Sequence, residues 1–213
     1  MNIAIFGASG ATGKLLTSRC LAAGHQVTAL LRTPEKLPQR DRVHVIRGSA
    51  FDPAAVRQAI EGADAVFSAL GAHSPLRNEN VLPRAVPLIV EAMQQTDVRR
   101  IIVLGSAGAL PTALDKQPAY RRWIVENIIN KTLLKWPVAE QVSQYAILSH
   151  SDLDWTMVMP PMLTNGPARG VYRIDGEALP RNGSRISRQD VADFMFQQLD
   201  NPQWVRKGVY LSW

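Results

Sequence analysis

Residues 2–14 read Asn-Ile-Ala-Ile-Phe-Gly-Ala-Ser-Gly-Ala-Thr-Gly-Lys, and this stretch decides the fold. The apolar run at residues 3–6 is typical of a strand buried on both faces of a parallel sheet. Glycines follow at positions 7, 10 and 13, and apolar residues then recur with helical spacing. The stretch therefore predicts a strand, a glycine-rich turn and a helix.

The three glycines are suited to binding an anion. Gly7 permits the tight turn, Gly10 lets the backbone approach a pyrophosphate, and Gly13 lets helix and strand pack closely. The helix N-terminus presents free N–H groups and a partial positive charge. A glycine triplet also suits an ordinary tight turn, but its place between a strand and a helix favours a dinucleotide site. The predicted cofactor contacts in this turn are Gly7, Ser9, Gly10, Ala11, Thr12 and Gly13.

A basic segment follows the second predicted strand, Gln26–Leu31. Sites that prefer NAD carry an acidic residue about twenty positions after the glycines, where it binds the ribose 2′-hydroxyl. This chain has Arg32 instead, and a guanidinium pairs well with a 2′-phosphate. Thr33 and Lys36 add donors, so the sequence predicts NADP(H) in preference to NAD(H). The alternative is that Arg32 is only a surface charge.

The remaining pattern alternates strands and helices. Further strands are predicted at 43–47, 64–70, 99–104, 154–159 and 208–213. Helices are predicted from Pro53, at 78–96 with a kink or a start near Pro83, at 120–135, at 138–150, and from the N-cap Ser187. Asp52 either caps the helix at Pro53, which is favoured, or approaches the adenine. This order predicts an α/β fold, a Rossmann-type doubly wound and mostly parallel sheet. We expect one NAD(P)-binding domain over residues 1–213, with 160–213 forming a small substrate-side region and a hairpin near 170–176.

Candidate site residues lie where predicted strands end, because ligands bind at the carboxyl edge of such sheets. The double proline after the sixth strand forms a rigid ledge without amide donors, which suits a nicotinamide face. His73, after the fourth strand, is a further candidate, although a histidine in a loop is more often only solvated. The predicted residues are Ser49 after the third strand, Ala69, Leu70 and Gly71 after the fourth, Ser106 after the fifth, and Pro160, Pro161, Met162 and Leu163 after the sixth.

These motifs, in this order, resemble the atypical short-chain dehydrogenase/reductase group that binds NAD(P)H. Within it the chain is similar to the flavin reductase / biliverdin-IXβ reductase type and its NmrA-like relatives, over nearly its whole length. The resemblance implies that Ser106 and the segment 160–163 lie beside the nicotinamide, and that Arg32 reads the 2′-phosphate. Relatives commonly have Gly-Asp where this chain has Gly48-Ser49, which weakens the prediction of an adenine contact there.

One departure bears on the chemistry. Enzymes of the wider superfamily carry a tyrosine and, four residues later, a lysine that lowers the tyrosine pKa for proton donation. Here Tyr120 is followed by Ile124, and Tyr145 by Ser149. We therefore expect hydride transfer to a planar conjugated acceptor, a flavin, bilin or quinone-like molecule, with Ser106 positioning the nicotinamide or the acceptor. The alternative is an NmrA-type NADP(H)-binding redox sensor without turnover.

Two further groups of residues are predicted with alternatives. The tryptophans Trp123 and Trp136 belong to the core or line a planar-substrate pocket, and the core is favoured. Five arginines after the double proline either meet anionic groups of the acceptor or form a solvated surface: Arg169, Arg173, Arg181, Arg185 and Arg188.

Composition limits the class of protein. The chain has 213 residues, a formal net charge of +6 and one cysteine, Cys20, so no disulfide forms within it. The basic residues are scattered, and no apolar run is long enough to cross a membrane. We expect a cytoplasmic protein whose partner is a small-molecule acceptor, with no nucleic acid, no membrane and no metal. The sequence leaves the oligomeric state open.

Overall fold

The computed structural model describes residues 1–72, 74, 76–132 and 134–213. The described strands are β1 Asn2–Phe6, β2 Gln26–Leu31, β3 His44–Arg47, β4 Ala65–Ser68, β5 Arg100–Leu104, β6 Asp154–Met159, β7 Met162–Thr164, β8 Arg173–Asp175, β9 Arg185–Ser187 and β10 Lys207–Ser212. The described α-helices are α1 Ala11–Ala22, α2 Pro53–Ile60, α3 Val81–Gln95, α4 Ala119–Ile124, α5 Lys135–Ser149 and α6 Arg188–Gln197.

Eight of these strands form one sheet in the order β3-β2-β1-β4-β5-β6-β10-β8, and every pairing within it is parallel except that of β8 with β10. The sequential strand order reverses between β1 and β4, which pair in register from Ile3↔Ala65 to Phe6↔Ser68. A reversal of this kind opens a crevice at the carboxyl ends of the two strands. The predicted Rossmann-type, doubly wound fold is confirmed.

Helices cover both faces of the sheet. One apolar core, which includes Phe6 and Trp155, lies on the side of α2, α3 and α5. The other, which includes Phe67 and Val158, lies on the side of α1 and α6, and these two helices pack together. The central strands β1 and β4 are buried on both faces because successive side chains of each strand enter the two cores in turn.

Predicted helix starts agree closely with the structure. Asp52 caps α2, since its Oδ1 accepts a hydrogen bond from the Ala54 N–H at 3.0 Å. Ser187 caps α6 in the same way, with the Asp190 N–H at 2.9 Å. Helix α3 begins at Val81, near Pro83 as expected, and also contains Pro87.

The hairpin predicted near residues 170–176 is wrong. Strand β8 instead pairs antiparallel with β10, through Tyr210↔Asp175. The chain turns after β8 because the Asp175 Oδ1 accepts from the N–H groups of Glu177 and Ala178, at 2.9 and 3.2 Å. Gly176 lies against the Trp204 ring, where an added Cβ would be 2.8 Å from a ring carbon.

The segment 110–152 also differs from the prediction. Helix α4 ends at Ile124 and continues as a π-helical segment, Val125–Ile129, and α5 begins at Lys135. Trp136 is half-buried, but Trp123 is 60% exposed, so the expected core position is wrong for Trp123. Within the described ranges, no helix has the length and apolar character needed to cross a bilayer.

Candidate functional site

The turn after β1 packs so tightly that two of its glycines cannot carry a side chain. Gly7 has φ +79°, and a Cβ on it would lie 2.6 Å from the Ala69 carbonyl oxygen at the end of β4. A Cβ on Gly13 would overlap the Gly7 carbonyl oxygen and lie 2.8 Å from the Ala8 Cα. The roles predicted for these two glycines, a tight turn and close packing of helix on strand, match this geometry.

Gly10 is different, because it faces outward. It is exposed and stands at the N-cap of α1, with no capping side chain among the described residues. Among the described residues, a Cβ on it would meet only the Gly7 carbonyl oxygen, at 3.2 Å. The first-turn N–H groups of α1 therefore open onto the crevice between β1 and β4, with no acidic residue in the first turn. This cradle fits a diphosphate.

The remaining residues of the turn differ in exposure. Ala11 is exposed and Ser9 is half-buried, so both border the crevice. Thr12 is buried under the first turn of α1. The structure thus brings all six predicted residues of the turn together at the end of β1.

The basic segment lies next to this turn, since β2 neighbours β1 in register up to Phe6↔Leu30. Arg32 and Thr33 are exposed, and Thr33 precedes the short 3-10 helix Pro34–Lys36. The Lys36 N–H donates to the Thr33 carbonyl at 3.2 Å, which places the exposed Lys36 within one turn of Arg32. A guanidinium, a hydroxyl and an ammonium thus occupy the position where a ribose 2′-substituent lies in folds of this kind.

The predicted residues at the ends of β3 and β4 differ in their exposure and in their hydrogen bonds. Ser49 follows β3, and its Oγ accepts from the Phe51 N–H at 3.2 Å, so this hydroxyl belongs to a local turn. Ala69 and Leu70 are half-buried beside Gly7, whereas Gly71 is exposed and a Cβ added to it would meet nothing within 4 Å among the described residues. The candidate His73 lies outside the described residues.

The ends of β5 and β6 bring Ser106 and the double proline together. These strands pair up to Leu104↔Val158, and the Ala107 N–H donates to the Pro160 carbonyl at 2.9 Å. Ser106 is half-buried, and its Oγ accepts from the Gly108 N–H at 3.5 Å. The Ser106 hydroxyl can therefore still donate to a group bound at the strand ends.

The segment after the double proline is more ordered than a loop. Pro161 is half-buried, and Met162 and Leu163 belong to β7, which pairs in parallel with β9. This pairing sets Met162 opposite Arg185. Met162 is 64% exposed, so a flexible apolar side chain stands beside a guanidinium near the strand ends.

The five arginines of this region fall into two sets. Arg173 donates to the Arg181 and Trp213 carbonyls, both at 2.6 Å, and Arg188 donates to Asn165 Oδ1 at 2.7 Å. The Arg169 guanidinium lies over the Trp213 ring, 3.7 Å from its centroid. Arg181 and Arg185 are exposed, and their guanidinium groups have no hydrogen-bond or ion-pair partner among the described residues.

Helix α5 contributes polar residues that the sequence reasoning missed. Gln144 is fully buried and its Nε2 donates to the Leu104 carbonyl at 3.2 Å, two residues before Ser106. Glu140 is 2% exposed, and its Oε2 accepts from the Leu82 N–H at 2.9 Å in the first turn of α3. Each side chain keeps one buried oxygen without a hydrogen-bond partner among the described atoms. The available signal was the spacing of Glu140 and Gln144, which lie four residues apart and share the buried side of the helix with the apolar Leu148.

A buried carboxylate fixes the segment that precedes β8. Asp190 is 1% exposed and accepts from the Gly170 N–H at 2.9 Å, the Ser187 hydroxyl at 2.8 Å and the Trp213 indole at 2.9 Å. The Arg169 N–H also donates to it, at 3.1 Å. Burial raises the pKa of Asp190, but these hydrogen bonds outweigh it and hold the pKa below its ordinary value.

The tyrosine and lysine pair of the wider superfamily has no equivalent in the part of the chain that the structure describes. Tyr145 is half-buried and packs edge-on against Trp155, with ring centroids 5.6 Å apart, and Ser149 follows it by four positions. Tyr120 is 64% exposed, and the residue four positions on is Ile124.

Comparison with known proteins identifies relatives of this arrangement. A solved structure of a wide-type short-chain dehydrogenase/reductase from Veillonella parvula, in complex with NADP, is 25% identical and has a TM-score of 0.80, over 100% of this chain and 94% of that one. SP1627 from Streptococcus pneumoniae, named as a proposed NADH-flavin reductase, is 25% identical with a TM-score of 0.79, over 100% and 99% of the two chains.

Relatives are also found by sequence alone. The reductase pytE of Aspergillus terreus is 27% identical over 257 aligned positions, which cover 97% of this chain and 92% of that protein. The family model described as NAD(P)H-binding matches residues 7–202, from the first glycine of the turn to beyond α6. The chain therefore belongs to the NAD(P)H-binding family of Rossmann-fold proteins.

Proposed function

We propose that this protein is an NADPH-dependent reductase that transfers hydride to a planar conjugated acceptor, such as a flavin, a bilin or a quinone-like molecule. The observation that carries the proposal is the composition of α5, which places Gln144 against the end of β5 and has Tyr145 followed by Ser149, so it provides no tyrosine–lysine acid of the kind that a ketone would need. A conjugated acceptor spreads the charge that arrives with hydride, so it does not need such an acid.

The residues present fit the cofactor. The N–H groups at the start of α1 would hold the diphosphate, and Gly10 would allow its close approach. Arg32, Thr33 and Lys36 would pair with the 2′-phosphate, which supports NADPH over NADH. When bound, the cofactor supplies a hydride, and the acceptor takes one further proton from water.

The chain's own groups would position the reactants. Ser106 would donate its hydroxyl hydrogen to the nicotinamide or the acceptor, and the Pro160–Pro161 ledge would support the nicotinamide face. Arg185, opposite Met162 and without a partner among the described residues, would pair with a carboxylate or phosphate of the acceptor. Met162 would pack on its planar ring system.

Oxidation of NADPH, followed at 340 nm with FMN, FAD, biliverdin and a short-chain quinone in turn, tests this proposal. We expect turnover with at least one acceptor, and Ser106→Ala should lower kcat while the Kd for NADPH is unchanged. Arg185→Ala should raise KM for an anionic acceptor and leave KM for a neutral quinone unchanged.

The outcome that would contradict the reductase is also defined. Tight NADPH binding without turnover on any acceptor of the panel would favour a redox sensor of NmrA type, which binds NADP(H) and a protein partner. Absence of binding to either nucleotide would remove both functions. We further propose a cytoplasmic location and a small-molecule partner, with no nucleic acid bound.

A further inference from the structure

An apolar surface covers one side of the helical arm, which we define as residues 119–129, α4 and its π-helical continuation. Tyr120, Trp123, Ile124 and Ile128 are 64, 60, 40 and 47% exposed, respectively. They recur at i, i+3, i+4 and i+8, so they share one face of the helix. Large apolar side chains clustered on an exposed face mark an interaction surface.

The arm is held so that this face stays outward. Its base is tied to the 179–182 segment, because the Gln117 Nε2 donates to the Leu179 and Pro180 carbonyls at 2.8 and 2.9 Å. On the arm, Val125 and Ile129 are half-buried. The exposed face is therefore a separate stripe of the helix, and it does not form part of either apolar core of the sheet.

The charges beside this surface are mostly positive. Arg122 pairs with two carboxylates, Asp115 and Glu126, at 3.0 and 2.8 Å, so this group of three has a net negative charge. Arg121, Lys131 and Lys135 have no carboxylate partner among the described residues. The Lys131 Nζ donates to the neutral Asn127 side chain at 2.9 Å, and Lys135 lies 4.8 Å from the Trp136 ring centroid.

We propose that this arm binds the surface of an anionic lipid bilayer, with its apolar face in the headgroup region. Helices that lie in the plane of a membrane combine aromatic and aliphatic residues on one face with Lys and Arg beside it. Trp and Tyr favour the interface, and long basic side chains reach lipid phosphates from there. The chain's net charge of +6 adds long-range attraction to anionic lipid.

A second copy of the chain fits this surface less well. In a two-fold symmetric contact the same patch meets itself. The positive charges of Arg121, Lys131 and Lys135 on one copy would then lie in the same interface as those of the other copy, and like charges across an interface disfavour association. Lipid phosphates neutralise the same three charges.

The proposal goes beyond the reductase function and does not depend on it. The sequence-based expectation of no membrane rested on the lack of a spanning segment, and a helix lying on the surface needs none. Binding to vesicles is measured without cofactor or acceptor, so failure of either proposal leaves the other standing.

Flotation with lipid vesicles tests the arm. The full chain is mixed with vesicles of phosphatidylcholine alone, or with about one-third phosphatidylglycerol. We expect binding to the anionic vesicles that weakens with added salt. The double variant Trp123→Ser/Ile124→Ser should lower the partition coefficient by at least about tenfold. The matched control is Val171→Ser, because Val171 is 80% exposed but lies outside the arm.

A second variant tests the contribution of the lysine charges to vesicle binding separately. Lys131→Glu/Lys135→Glu should reduce binding to anionic vesicles and should leave binding to neutral vesicles unchanged. Thermal melting and NADPH affinity establish that each variant is folded.

Three results would overturn the proposal. One is absence of wild-type binding to anionic vesicles, and another is full retention of binding by the folded Trp123→Ser/Ile124→Ser variant. The third is a dimer by light scattering that this variant converts to a monomer, without vesicle binding by the wild type. That result would assign the surface to a second copy.

Discussion

Replacing Gly13 with alanine places a methyl group in overlap with the Gly7 carbonyl oxygen, with the Ala8 Cα at 2.8 Å. Both neighbours are backbone, so α1 must move away from β1. Overpacking of this kind costs about 3 kcal/mol, and alanine in place of glycine in a helix returns about 1 kcal/mol. The net loss of about 2 kcal/mol lowers the melting temperature by about 4–8 °C for a chain of this size.

The same substitution at Gly10 should affect binding instead of stability. Within the described ranges, its methyl group would meet only the Gly7 oxygen, at 3.2 Å, and it would project where we propose that the diphosphate approaches. We expect a stability loss of at most about 1 kcal/mol and at least about a tenfold rise in the Kd for NADPH. Gly166→Ala is the control, since nothing lies within 4 Å of its added Cβ among the described residues.

Differential scanning fluorimetry and calorimetric titration with NADPH measure both effects. The reasoning is refuted if Gly13→Ala melts with wild-type stability. It is also refuted if Gly10→Ala binds NADPH as tightly as the wild type, because the turn would then not cradle a diphosphate.

Three further predictions follow from individual side chains. Arg32→Glu should weaken NADPH binding far more than NADH binding, whereas Arg57→Glu on α2 should change neither, and equal losses for the two nucleotides would remove the proposed preference. Asp190→Asn replaces one carboxylate oxygen, which accepts hydrogen bonds, with an amide NH₂ group, which donates them. Because the groups around it are also N–H and O–H donors, the substitution should lower the free energy of unfolding by about 2–3 kcal/mol in chemical denaturation. The pKa of Asp190 lies below its ordinary value of 3.8, so the ionised carboxylate contributes fully to folding stability above that pH, and this contribution is lost as the pH falls below it. In acid, the stability of the wild type should therefore fall more steeply than that of the variant. Burial raises the pKa of Cys20 to about 12, so an aromatic disulfide reagent should modify the thiol only after unfolding, and rapid modification of the folded protein would contradict this.

The central sheet was predictable because its signals are local. An apolar run such as β1 ends at glycine, and caps such as Asp52 and Ser187 mark helix starts within a few residues. The glycine turn and the meeting of Ser106 with Pro160 follow from the rule that parallel strands bring their carboxyl ends to one edge.

The rest depends on partners far away in the sequence. Strands β7, β8 and β9 have three residues each, and nothing local identifies β10 as the partner of β8. Glu140 and Gln144 interact with α3 and β5, which only the tertiary fold brings to α5. Trp123 was expected in the core because large aromatic residues usually are buried, but it lies on the exposed face of the arm.

The place of β10 between β6 and β8 has a consequence for biosynthesis. Strand β8 is synthesised before β10, which is its partner in the sheet. It therefore stays unpaired until Lys207–Ser212 has emerged from the ribosome. The half of the sheet that carries the glycine turn can form its pairings co-translationally. The opposite half is completed last, so a nascent chain stalled before β10 would expose an open edge at β6.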